Sequence, residues 1–212
     1  MKREMPFVSN EPDNLHCVQA SYMMIAKYFD PVFAIPMEEW SKLTGFEEGK
    51  ASWASAGLGW FKDHGYKVKH LSQFNYPRFV TEGGKYLIDL CGEEVGNWQI
   101  EYSNMPLEIE RARQLLSQGI IVQREPLQQD IRQFIDDGYL VRSLVNGRRL
   151  NGQSGYFGHA LVIFDYDDAG IYMHDPGLPP RANRHVSWDD FEAAWADPNT
   201  ESKEMDAIKL AA

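Results

Sequence analysis

From Asp13 to Phe29 apolar residues recur at helical spacing, with Val18, Tyr22, Ile25 or Ala26, and Phe29 forming one stripe. Pro12, Asp13 and Asn14 supply start signals, so the pattern predicts a helix capped at Asn14 with Cys17 at its third position. IPMEEWSKLTG reads as a short helix closed by Gly45, and SWASAGLGWFKDHG as a helix ending near Gly65 ahead of a strand, Tyr66–Leu71. YPRFVTEGGKYLIDLCG is helical but interrupted at Gly83 and Gly84, and Gly92 to Pro106 carries no decisive period. LEIERARQLLSQG returns to helical spacing and stops at Gly119.

The second half changes period. IIVQ, YLVRSLVN and the two runs in GHALVIFDYDDAGIYMHDPG predict strands, the last two joined around Asp167–Gly170. LQQDIRQFIDDG reads as a helix, Asn146-Gly147 as a tight turn, SWDDFEAAW as a helix capped by Ser187, and MDAIKL as a last strand. Helices dominating one half and strands the other imply an α+β fold with an antiparallel sheet.

Composition narrows the functions open to this pattern. At 212 residues and 43% hydrophobic content the chain has material for a substantial core. A net charge of −10 argues against nucleic acid or anionic lipid as a general partner. The one basic cluster, Gly147–Leu150 (GRRL), reads as a solvated turn. No segment has the apolar length of a membrane span, and MKREMPFVSNEPDN lacks the apolar run of a secretory signal. Two cysteines, Cys17 and Cys91, suit free thiols in a reducing, cytoplasmic setting. His16, Cys17, His159, His174, Asp175 and His185 show no metal-ligand spacing, so neither a metal nor another cofactor is expected.

A helical cysteine is in most proteins a small buried hydrophobe. Cys17 differs because it falls in the first turn, where unpaired amides and the helix dipole favour a thiolate. Those amides, the Cys17 N–H included, also suit a developing oxyanion. His159 opens the apolar run ALVIF, and Asp175 closes the next strand. In an antiparallel hairpin the start of one strand lies beside the end of the next, which makes the two neighbours. His159 then serves as base and Asp175 as the group that orients it. Cys91, before Gly92 at a helix end, reads as structural, and His174 should face away from Asp175.

Taken together, the cysteine starting a helix, the late GHALVIFDY, and HDPG ahead of SWDDFEAAW resemble the C39-like, papain-like cysteine peptidases. The resemblance runs through the first helix, ASWASAGLGWFKDHGYKV, and most of Leu127 to Trp195. It implies a papain-like fold in a single domain, 1–212, with the N-terminal helices packed on the C-terminal sheet. Residues 74–119 exceed the family's minimal core and read as an insertion. The implied activity is a thiol hydrolase cleaving a peptide or a small acyl or amide substrate through Cys17, His159 and Asp175. An acyltransferase using the same triad, and a peptide-binding module without catalysis, are the alternatives. The family places an oxyanion-hole Gln six residues before its cysteine; this chain has Glu11 there, so either Glu11 is held protonated, or Asn10 or Asn14 supplies the amide, or the site does different chemistry. The sequence leaves the oligomeric state open.

Overall fold

The stripe from Val18 to Phe29 becomes α1 (Cys17–Phe29), in which every residue from Cys17 to Ala26 is buried. In the computed structural model, which describes residues 4–32, 35–50 and 52–211, α1 packs on the sheet along one strand of the late hairpin. The helix starts two residues later than the capping signals predict. Asn14 adopts a left-handed backbone, φ 61°, and His16 becomes the cap, so Cys17 is the first helical residue and not the third.

The other elements follow in order. α2 (Met37–Thr44), α3 (Leu58–Asp63) and β1 (Tyr66–Ser72) complete the first stretch. Four helices come next: α4 (Tyr76–Glu82), α5 (Gly84–Cys91), α6 (Glu93–Glu101) and α7 (Met105–Ser117). β2 (Ile121–Gln123), α8 (Gln128–Asp136), β3 (Leu140–Asn146) and the single turn α9 (Gly147–Leu150) lead into the hairpin. The hairpin is β4 (Gly158–Tyr166) and β5 (Gly170–Asp175), followed by β6 (Arg181–Ser187), α10 (Trp188–Trp195) and β7 (Glu204–Leu210).

Among the described residues one seven-stranded sheet, in the order β2-β1-β7-β3-β4-β5-β6, gathers the strands. It is antiparallel except at one edge, where β1 and β2 run parallel. The fold is thus α+β, with early helices laid on the sheet. α1, α2 and α3 bury Tyr22, Trp40 and Phe61 against one face, and α8 and α10 bury Ile131, Phe191 and Trp195 against the other. Between α4 and α7 a separate cluster holds Tyr76, Phe79, Tyr86, Leu87 and Ala112.

Two local expectations are corrected. Asn146 does not open a tight turn: its Oδ1 accepts from the N–H groups of Arg148 and Arg149 at 3.0 and 3.3 Å, capping GRRL as a helical turn. β6 is an additional strand that RANRHVS conceals, because an exposed edge strand needs no apolar alternation.

The face under α1 also carries a buried polar row. Arg142 of β3 and His70 of β1 flank Asp206 of β7, directly across the strands. Asp206 accepts from His70 Nδ1 at 2.6 Å and is in contact with Arg142. His70 Nε2 meets the Tyr76 hydroxyl at 2.7 Å, and the Arg142 guanidinium lies 4.8 Å from the Tyr22 ring. The row therefore bolts α1 and α4 to the middle of the sheet.

Candidate active site

The start of α1 is held by a small side-chain device. Asn10, buried, accepts from the N–H groups of Glu11 and His16 at 3.0 and 2.7 Å and donates to Asn14 Oδ1 at 3.1 Å. Its own N–H donates to the Pro176 carbonyl at 2.8 Å, one residue beyond Asp175. The turn presenting Cys17 is thus tied to the loop that follows Asp175. With Asn14 Oδ1 engaged, the Asn14 Nδ2 remains as a donor. Glu11 is exposed, and its backbone, not its carboxylate, makes the turn.

Cys17, His159 and Asp175 converge in the fold. His159 Nε2 lies 2.7 Å from Asp175 Oδ1, and both side chains are buried. The remaining ring nitrogen, Nδ1, is buried and left for Cys17, in a contact looser than a formed hydrogen bond. Such contacts commonly tighten only when substrate is bound. Burial pushes the Cys17 thiol up, but the His159 ring, the Ala160 backbone and Arg142 outweigh it, and the thiol falls below its ordinary range. Burial pulls His159 down, but Asp175 and Cys17 outweigh it and hold the imidazole up at about 10. Both shifts favour a thiolate beside an imidazolium.

Two cavities meet at this constellation. A polar one of about 310 Å³ lies against His159 and Asp175, lined also by Asn14, Arg148 and Arg181. A larger cleft of about 840 Å³ opens from Cys17 toward α5 and α6, with Trp53, Phe74, Trp98 and Tyr156 in its walls. Asn14 borders both.

No family model matches the chain, and no curated protein does. Among solved structures, a double-glycine-motif protease from an AMS/PCAT transporter, in complex with its leader peptide, aligns with TM-score 0.49 and 11% identity over 99% of this chain and 94% of that one. A Bacillus anthracis protein assigned to the C39-like peptidases aligns with TM-score 0.48 and 14% identity over 99% of this chain and 100% of its own. At these scores the likeness carries no weight for the chemistry, which is read from the side chains.

Other candidates lie apart from the constellation. His174 turns away from Asp175, onto Phe7 and Phe164, and receives the Asn183 N–H at 3.0 Å. His16 stacks on Phe46, and His185 sits 3.2 Å from Asp167. Among the described residues no three His, Cys, Asp or Glu side chains gather as metal ligands. No helix among them is long and apolar enough to cross a membrane. Cys91 is free and exposed at the end of α5, and burial of its sulfur raises its thiol. Sequence reasoning missed Arg184, whose Nη1 donates to Asp175 Oδ2 at 2.8 Å while Nη2 donates to the Leu150 carbonyl at 2.8 Å. Its strand, polar and exposed, gave no pattern to find it by.

Proposed function

We propose that this chain is a papain-like thiol hydrolase acting on a peptide or a small acyl or amide substrate. The observation that carries the reading is the meeting of Cys17, His159 and Asp175, with the thiol lowered and the imidazole raised. Cys17 Sγ attacks the acyl carbon, and the His159 proton at Nδ1 passes to the departing amine, leaving a thioester on Cys17. Water then gives a proton to Nδ1 and attacks the thioester, the C–S bond breaks, and the acid departs with the Cys17 thiolate and the His159 imidazolium restored. Asp175 holds the ring through Nε2 so that Nδ1 faces the sulfur. The oxyanion is met by the N–H of Cys17, the first residue of α1, and by Asn14 Nδ2; Glu11, exposed, takes no part.

In this reading residues 74–119 are an insertion that walls the larger cleft and governs access to Cys17. Mass spectrometry of intact protein exposed to a library of activated esters and amides tests the reading. It expects a covalent acyl adduct on Cys17 that Cys17→Ala does not form and that His159→Ala forms far more slowly. Adduct formation or turnover that survives Cys17→Ala overturns it.

A further inference from the structure

The larger cleft is apolar at its walls and acidic at its far end. Phe74, Trp98, Tyr102 and Phe157 supply rings, and Trp98 and Tyr102 are 50% and 38% exposed at the mouth. Exposed aromatic clusters of this kind mark binding surfaces. At the far end stands Glu204 of β7. It pairs across the sheet with Leu144 of β3, which in turn pairs with Ala160 of β4, the neighbour of His159. Directly paired residues share a face, so Glu204 projects on the side of Ala160 that α1 covers. Two strand spacings set it about 10 Å from Ala160.

The Glu204 carboxyl has an unfilled need. Its Oε1 is buried and no hydrogen-bond partner meets it. Burial raises the Glu204 carboxyl; His70 and Arg142 on the same face lower it in part, but both contact Asp206 and neither meets Glu204 Oε1. Among the lining residues Lys50 is the one cation, and it is paired with Glu47 at 2.6 Å, whereas Glu94 and Glu201 add negative charge. A buried acceptor without a donor costs free energy that a ligand's N–H groups would recover. A long methylene stem can lie along rings while its charged end reaches a carboxylate.

We infer that this cleft is a specificity pocket for a basic side chain, lysine- or arginine-like, whose ammonium or guanidinium is received by Glu204. The inference takes the place of the scissile bond from the thiol-hydrolase reading, but the binding itself does not depend on catalysis. Alanine peptide amides carrying Arg, Lys, norleucine or Glu at each position in turn are titrated onto Cys17→Ala protein, followed by tryptophan fluorescence. Turnover of the same peptides is measured with the unaltered chain. At one position Arg and Lys should bind at least about tenfold tighter than norleucine, with Glu weakest. Glu204→Gln should erase that difference and leave norleucine binding in place. Equal binding of Arg and norleucine, or no binding by any peptide, overturns the inference without recourse to a Glu204 variant. Basic preference without thiol-dependent turnover supports it and overturns the hydrolase reading; turnover without basic preference does the reverse.

Discussion

Asp175 receives three donors: His159 Nε2 and the Gly177 N–H on Oδ1, and Arg184 on Oδ2. Asparagine offers a single acceptor oxygen, so Asp175→Asn must leave either the imidazole or the guanidinium facing an amide N–H. We expect Asp175→Asn to lower kcat/KM by at least about a hundredfold, roughly 3 kcal/mol. Arg184→Met should be milder, and the double variant should recover part of the loss of Asp175→Asn alone, a non-additivity that kinetic measurement of all four proteins checks.

Cys17 gives a second test at this scale. With the thiol lowered and His159 raised to about 10, the ion pair persists between the two values. Iodoacetamide labelling, measured in a Cys91→Ser background, should stay fast through neutral pH and slow only on the acid side, as the thiolate takes a proton. In unfolded protein the same labelling should follow an ordinary thiol of about 8.5. The nearness of His159 to Asp175 was legible from the hairpin, and Cys17 drew notice as a cysteine at a helix start, although that helix begins two residues later than its capping signals predict. The parts played by Arg184 and Asn10 were not legible, since Arg184 reaches Asp175 from a polar edge strand and Asn10 accepts N–H groups that only the folded turn brings to it.

Elements meet at two glycines that leave no room for a side chain. A Cβ on Gly96 of α6 would stand 2.5 Å from Ile88 Cα of α5, and one on Gly170 of β5 would stand 1.9 Å from the Val186 carbonyl oxygen of β6. In both cases the obstacle is backbone, so the elements must part. Gly96→Ala should cost about 1–3 kcal/mol in denaturant melts and weaken binding in the larger cleft, whose wall α5 and α6 form. Gly170→Ala should reduce activity more than stability, because it displaces the strand that carries Arg184. The same scale shows where sequence patterns stop. α5 and its break at Gly83 were readable, whereas α6 and β6 were not, being defined by what they pack on and not by their own period.

Across the whole molecule, charge pairing sets the pH range of stability. Burial raises Asp175, but His159, the Gly177 N–H and Arg184 outweigh it and hold the group at about 2, below its ordinary 3.8. Its contribution is therefore present above 3.8 and lost as pH falls toward about 2. Burial lowers His70, but Asp206 outweighs it and the group is raised above 6.5. That contribution is complete below 6.5 and lost as pH rises through the raised value. Melting temperature should therefore fall as pH drops from about 4 toward 2, and Asp175→Asn should flatten that fall. Asp206→Ala, which strands Arg142 and His70 in the core, should cost about 3–5 kcal/mol by chemical denaturation.

β7, built from residues 204–210, lies between β1 and β3 in the middle of the sheet. Until it is synthesised, the strand under α2 and α3 and the strands bearing His159 and Asp175 have no common frame. α1 packs directly on β4, so the contact between the helix of Cys17 and the strand of His159 does not run through β7, whereas β1 joins that strand in the sheet only through β7. A chain still being made therefore holds two separate half-sheets, β1 with β2 and β3 with β4 to β6, which β7, made after all of them, joins into one.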